Sequence, residues 1–172
     1  MKLDKITLGA GCFWGVQAAF NLLYGVKETR VGYCGGHSLN PSYEEVCNKT
    51  TGHFEVVEIL YDSEELTLHQ LLNLFFRIHD PTQTNGQAND IGPQYLSVIF
   101  SNDEQREAIV NHISQIKPQY KKPIFTKILP PHQFYTAENY HQNYLLKNPT
   151  GYCHINLPKV KEFLEINGYR LK

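Results

Sequence analysis

The 172-residue sequence predicts a single α+β domain, residues 1–172, in which helices pack on a mixed β-sheet in two layers. The length fits one domain of ordinary size. Short segments rich in β-branched residues alternate with segments of helical apolar spacing. Their core order is strand, helix, strand, strand, helix, strand, which is the split-βαβ, ferredoxin-like order, followed by further elements and an irregular C-terminal extension.

The first elements follow from apolar spacing and turn residues. Strands are predicted over 5–10, 26–33 and 54–61, and helices over 13–23 and 66–78. The sequence FEVVEILY in the third strand combines β-branched residues with alternating charges. Gly25 ends the first helix, and the second has Thr67 as N-cap and Pro81 just beyond its end.

The second half of the chain is less regular. Residues 80–94 are polar, lack a clear period and predict a long loop, and loops of this length are often functional. The remaining predictions are strands over 95–100 and 124–129, helices over 101–117, 136–146 and 160–166, and an irregular tail from about residue 148.

Composition excludes several classes of protein. Apolar residues make up 41%, aromatic residues 12%, and the formal net charge is −1, which disfavours disorder. No basic excess is present for nucleic acid or an anionic membrane, and no apolar run approaches the roughly 20 residues of a membrane span. The N-terminus lacks the pattern of a signal peptide, so we expect a cytoplasmic protein.

One cysteine stands where a reactive thiol is expected. The sequence Gly11-Cys12-Phe13-Trp14-Gly15 joins the first strand to the first helix, which places Cys12 at a helix N-terminus. Unpaired N–H groups and the helix dipole favour a thiolate there, so we expect a lowered pKa for Cys12. The alternative is an inert buried cysteine with Phe13 and Trp14 as ordinary core residues.

The GCFWG sequence and six further segments resemble the peptide methionine sulfoxide reductase A family, in the family's order. The further segments are VGYCGG (31–36), NPSYEEVC (40–47), TGHFEVVEILYD (51–62), HDPTQTNGQANDIGPQY (79–95), AENYHQNYL (137–145) and NPTGYC (148–153). The resemblance implies a ferredoxin-like core and thiol-dependent reduction of methionine S-sulfoxide, free and in oxidised proteins, as protein repair without a cofactor.

The resemblance also assigns roles to the residues that reduce the sulfoxide. Cys12 matches the nucleophile, which becomes a sulfenic acid, and Glu55 matches the catalytic acid, which burial on an apolar strand would keep protonated. Tyr43 and Tyr95 match two tyrosines that hydrogen-bond the sulfoxide oxygen, and Asp90 matches an aspartate that supports the site.

Two further roles concern the substrate methyl group and the oxidised thiol. Phe13 and Trp14 resemble the pocket that receives the methyl group. Cys153 matches the resolving cysteine, which would form a Cys12–Cys153 disulfide that thioredoxin reduces. Cys153 lies after a proline and a glycine in the irregular tail, a plausible mobile segment.

The chain departs from the family pattern at several positions. His154 and the residues after it replace glycines that follow the resolving cysteine in many relatives, and no further cysteine follows to relay the disulfide. Gln17 stands where the family often has glutamate. Cys34 and Cys47 are weaker candidates for a part in the thiol relay.

Two other functions remain open from the residues alone. The first is a cysteine acyl-transfer enzyme in which a histidine is the base for Cys12. The second is a non-catalytic binding module with an aromatic groove. The histidines lack metal-ligand spacing and no GxGxxG is present, so we expect no metal and no dinucleotide. A monomer is expected.

Overall fold

A computed structural model describes residues 1–172 as a mixed α+β fold built around one six-stranded sheet. Its helices and strands are β1 (Leu3–Gly9), α1 (Phe13–Phe20), β2 (Val26–Cys34), α2 (Tyr43–Cys47), β3 (Phe54–Asp62), α3 (Leu68–Arg77), β4 (Gly86–Gln87), β5 (Asp90–Ile91), β6 (Val98–Phe100), α4 (Asp103–Ile116), β7 (Lys127–Leu129), β8 (Phe134–Thr136), α5 (Tyr144–Lys147) and α6 (Leu157–Ile166). None of the helices has both the length and the apolar character needed to cross a lipid bilayer.

The strands are ordered β7-β6-β1-β3-β2-β8, so β3 lies at the centre of the sheet. It pairs antiparallel with β1 on one side, where Leu8 faces Val57, and with β2 on the other, where Tyr33 faces Glu55. Because β3 has a neighbour on both sides, its backbone polar groups are satisfied deep inside the protein. Glu55, the second residue of this strand, is therefore carried into the interior.

The two faces of the sheet pack into separate apolar clusters. The larger cluster has 28 buried residues and joins the sheet to α1 and α3, and it includes Tyr33 and Val57. The smaller cluster has six, and it includes Cys34 and Val56. Successive residues of a strand point to opposite faces. Glu55 thus shares its face with Val57, on the side that carries α1.

Capping boxes define the starts of three helices. Thr67 is the N-cap of α3, as the sequence predicts, and Asn102 is the N-cap of α4. In each box the cap side chain accepts from the third helical residue, whose side chain accepts from the cap backbone. Ser42 makes the same arrangement before α2, a helix of five residues that the sequence reading did not identify.

The predicted helix over 136–146 is wrong. The chain instead forms the edge strand β8 beside β2, a 3-10 turn over Asn139–His141 and the short helix α5. The Gln142 side-chain amide accepts from the backbone N–H of Val31 at 3.0 Å and donates to the backbone carbonyl of Val31 at 2.9 Å. This side chain thus bonds to β2 beyond the point where the backbone of β8 stops pairing with it. Asn143, at φ +53°, interrupts any helix.

Other boundaries also differ from prediction. The strand predicted over 95–100 begins only at Val98, because Pro93–Tyr95 forms a 3-10 turn. The loop over 80–94 contains the short β4–β5 pairing. Helix α6 begins at Leu157 rather than at residue 160, because Asn156 caps it by accepting from a backbone N–H.

Gly32 on β2 is required for the docking of β8. A methyl group there would collide with the ring of Phe134 and the carbonyl of Tyr135. We expect Gly32→Ala to lower the free energy of unfolding by at least about 2 kcal/mol in urea titrations. Gly168→Ala is the control for backbone strain without a collision, because Gly168 has φ +77° and a Cβ there would meet nothing within 4 Å. A loss for Gly32→Ala that does not exceed that of Gly168→Ala would contradict this packing.

Candidate active site

Cys12 lies at the junction between β1 and α1, as the sequence predicts. Gly11 makes the turn with φ +92°, and Cys12 is the N-cap of α1. The thiol makes no capping hydrogen bond, and only 8% of the residue surface is exposed.

The expectation of a lowered Cys12 pKa is wrong. Burial is the largest influence and raises the pKa of the thiol well above its ordinary value, and the negative charge of Glu55 would raise it further. The backbone N–H of Trp14 lowers the pKa, as a helix N-terminus should, but this effect is smaller than the desolvation. The thiol is therefore protonated in the resting protein.

Glu55 lies directly behind the first turn of α1. Only 1% of the residue is exposed, and its Oε1 accepts from the backbone N–H of Phe13 at 3.4 Å. Burial is the main reason that the pKa of Glu55 rises to about 8, with Asp90 adding to the rise and Phe13 and Tyr95 opposing it. Its Oε2 has no hydrogen-bond partner. Glu55 is thus a neutral carboxylic acid with one oxygen free to interact.

Two tyrosines and an aspartate come from other elements to the same place. Tyr43 opens α2, and Tyr95 ends the 3-10 turn before β6. Burial raises the pKa of both hydroxyls, and the charge of Glu55 adds to the rise in each case. Both are therefore neutral donors. Asp90, on β5, accepts a hydrogen bond from the Tyr152 hydroxyl at 2.8 Å.

Phe13 and Trp14 form an aromatic wall with two residues that follow β8. The Trp14 indole N–H donates to Nδ1 of His141 at 3.0 Å, and its ring stacks on Tyr144 with centroids 3.7 Å apart. The His141 ring lies 5.1 Å from Phe13 and 4.6 Å from Tyr43, between centroids.

His141, to which the sequence alone assigns no chemical role, lies against the rings of Phe13, Trp14 and Tyr43. It is fully buried, and burial lowers its pKa, so the ring is neutral. Because Nδ1 accepts from Trp14, the proton lies on Nε2, a buried donor that has no partner in the protein. In the sequence, the only indication that His141 lies near the site was its place in the family-like segment AENYHQNYL.

Cys153 lies against the same end of α1. A Cβ added at Gly15 would be 2.8 Å from its sulfur, and its thiol donates to the carbonyl of Ile155 at 3.2 Å. Burial raises its pKa, and it is near enough to Cys12 for its charge to affect that thiol. The tail segment that carries Cys153 is thus docked here.

The other cysteines occupy different positions. Cys34 is buried in the cluster on the opposite face of the sheet. Cys47 is half-buried one turn after Tyr43 on α2, close to the tyrosine hydroxyl. All four cysteines are free thiols, and no group of three or more His, Cys, Asp or Glu side chains is arranged to hold a metal ion.

Comparison with known proteins shows the family of the chain. A model of the peptide methionine sulfoxide reductase family matches residues 4–169. A peptide methionine sulfoxide reductase MsrA from Nautilia profundicola is 44% identical over 173 residues, covering 99% of this chain and 99% of that protein. The chain belongs to the peptide methionine sulfoxide reductase family.

Two solved structures of one protein are also similar. Reduced Mxr1 from Saccharomyces cerevisiae has a TM-score of 0.82 and 36% identity, covering 88% of this chain and 89% of that one. Mxr1 in complex with Trx2 has a TM-score of 0.60 and 27% identity, covering 83% of this chain and 85% of that one. The resemblance inferred from the sequence motifs is therefore confirmed, and the protein is an oxidoreductase of this family.

Gln17, a departure from the family pattern, has a structural explanation here. Its amide donates to the Thr29 hydroxyl at 3.1 Å and accepts from the backbone N–H of Asn143 at 2.9 Å. An ionised carboxylate could accept from Asn143 but could not donate to Thr29. Gln17 thereby fastens α1 to the start of α5, which carries Tyr144 against Trp14.

The raised pKa of Glu55 makes stability depend on pH. Between the unfolded value, about 4.3, and the folded value, about 8, the folded protein holds a proton that the unfolded chain has released. The free energy of unfolding therefore falls as pH rises across this window. We expect Glu55→Gln to remove that loss, so that its stability relative to the wild type increases from about pH 5 to about pH 8.

Denaturant titrations at several pH values measure this difference. Glu58→Gln, on the opposite face of the same strand, is the matched variant for the loss of a glutamate. A Glu55→Gln difference that stays constant or shrinks with rising pH would show that Glu55 is ionised in the folded protein.

Proposed function

We propose that Cys12, Glu55 and the aromatic wall reduce methionine S-sulfoxide, free and in oxidised proteins, to methionine. The observation that carries this proposal is the neutral Glu55, with an unpartnered oxygen beside the nucleophile's turn. A sulfoxide oxygen gains negative charge as its sulfur is attacked, so it needs proton donors. Glu55 and the hydroxyls of Tyr43 and Tyr95 supply them.

The reaction balances with the protein's own groups. The Cys12 sulfur bonds to the sulfoxide sulfur while the protons of Glu55 and of the thiol convert the oxygen to water, so the sulfur–oxygen bond of the substrate breaks. Water then attacks the Cys12 sulfur, the new sulfur–sulfur bond breaks, methionine leaves, Glu55 regains its proton, and Cys12 is left as a sulfenic acid. Overall, one thiol and one sulfoxide give one sulfenic acid and one thioether. The raised pKa of Cys12 fits this balance, because the thiol contributes its own proton.

Phe13 and Trp14 suit the methyl group of the substrate. Burying one methyl group stabilises the complex by only about 1 kcal/mol, so the pocket orients the substrate more than it binds it. Selection of one sulfur epimer follows if the methyl group lies against this wall while the oxygen points to Glu55. The unpartnered Nε2–H of His141 adds a further buried donor beside the wall.

Cys153 is proposed to attack the Cys12 sulfenic acid. A sulfur–sulfur bond forms, the Cys12 sulfur–oxygen bond breaks, and water leaves. A thioredoxin then reduces the disulfide by thiol exchange and becomes oxidised itself. The similar protein Mxr1 has been crystallised in complex with Trx2, which supports this partner.

We also propose that the fold is ferredoxin-like, with residues 1–172 as one catalytic domain. The four central strands are ordered β6-β1-β3-β2 and all pair antiparallel, and α1 and α3 connect them in the split-βαβ manner. The edge strands and the segment from about residue 148 extend that core.

The acyl-transfer alternative lacks the base that it requires. His141 uses Nδ1 to accept from Trp14, His154 donates to the carbonyl of Ala10, and neither hydrogen-bonds the Cys12 thiol. A binding module would not need a buried neutral glutamate, whose desolvation destabilises the fold.

Thiol counting tests the proposed function. Without reductant, one equivalent of methionine sulfoxide should release one methionine and consume two thiols per chain, measured by chromatography and thiol titration. Cys12→Ser should do neither, and Cys34→Ser, on the opposite face of the sheet, is the matched control that should behave as the wild type. Release of methionine by Cys12→Ser would exclude Cys12 as the nucleophile.

Cys153→Ser separates the two steps. This variant should release about one methionine per chain, because Cys12 can still form the sulfenic acid, and should then fail to turn over with thioredoxin. Cys34→Ser, on the far side of the sheet, should turn over normally. Full thioredoxin-dependent turnover of Cys153→Ser would assign the resolving role to another cysteine.

A further inference from the structure

The two residues after Cys153 hold it against the turn that carries Cys12. His154 donates from Nε2 to the carbonyl oxygen of Ala10 at 2.9 Å, and a Cβ added at Gly11 would lie 2.9 Å from that nitrogen. Ile155 covers Gly15, where a Cβ would lie 3.2 Å from its Cδ1. The chain on both sides of Cys12 is thus covered by this segment.

The docking brings the two thiols to one end of α1. Cys153 Sγ lies over Gly15, the third residue after Cys12. The Cys153 thiol is also close enough to Cys12 for its charge to raise the pKa of the nucleophile, so the two sulfurs are near each other before any substrate is present.

His154 provides the polar anchor of this segment. Burial lowers its pKa, while the hydrogen bond to Ala10 and the charge of Asp90 oppose that change. Since Nε2 carries the proton that is donated to Ala10, Nδ1 of the neutral ring is an acceptor, and it is buried without a partner. The contact with Ala10 is the one hydrogen bond that the side chain makes.

We propose that His154 is a positioning residue for disulfide formation: its hydrogen bond to Ala10 docks Cys153 beside Cys12 before the sulfoxide binds. This inference rests on the proposed function, in which Cys153 attacks the Cys12 sulfenic acid with loss of water. Holding two reacting groups in place removes the search that a free tail would need.

The role predicts that His154 affects the second chemical step and leaves the first unchanged. The reduced protein is mixed with methionine sulfoxide in the absence of reductant. Methionine release and loss of free thiols are then followed in the same quenched samples. The variants are His154→Gly, His154→Asn and His154→Gln. The Gln side chain places an amide N–H about where Nε2 lies, whereas the shorter Asn does not reach Ala10.

We expect all three variants to release the first methionine at the wild-type rate. Disulfide formation should slow by roughly three- to tenfold in His154→Gly and His154→Asn, the effect of one lost hydrogen bond, and should recover to within about twofold in His154→Gln. Disulfide formation at the wild-type rate in the first two, or equal slowing in all three, would overturn the proposal.

Two further outcomes have distinct meanings. Equal slowing of methionine release and thiol loss would assign His154 a general structural role and overturn the proposal as well. A wild-type protein that released methionine without losing two thiols would instead refute the resolving role of Cys153. The failure of the proposed function is therefore visible in the wild type, before any His154 variant is compared.

Discussion

The burial of the Glu55 carboxyl beside the first turn of α1 is the constraint on which the site depends. The central position of β3 removes this side chain from water, and only the backbone N–H of Phe13 and the hydroxyl of Tyr95 oppose the rise in its pKa. With so little compensation the neutral acid is favoured, and the pKa rises to about 8. Any nearby ionisable group must then hold its charge against the same desolvation.

This constraint explains why Cys12 and the tyrosines are also neutral at rest. A buried thiolate beside a buried carboxylate would be two charges without a counterion, and no Lys or Arg contacts either group through a salt bridge. The site is therefore a cluster of proton donors rather than a preformed thiolate. Such a cluster suits a substrate whose oxygen accepts protons as it leaves.

Chain segments far apart in sequence build the wall and the resolving position around this centre. Glu138 illustrates how they are joined: its carboxylate accepts from the Tyr33 hydroxyl and from the backbone N–H of Tyr43, each at 2.8 Å. One side chain thus ties β2, the start of α2 and the segment after β8 together. The same segment delivers His141 to Trp14. In this segment, hydrogen bonds from polar side chains, rather than regular backbone pairing, hold the site residues in position.

Local pattern alone determined the elements whose signals lie within a few residues: the strand of β-branched residues around Glu55, the Thr67 cap and the turn that places Cys12 at a helix N-terminus. Motif resemblance supplied the family and the candidate residues. Tertiary structure decided the rest, because pairing and desolvation depend on groups brought from distant parts of the chain. Gln142 beside Val31 turned an apparent helix into an edge segment, and burial outweighed the helix N-terminus at Cys12. Neither the edge segment nor the raised pKa of Cys12 can be predicted from residues that are neighbours in the sequence.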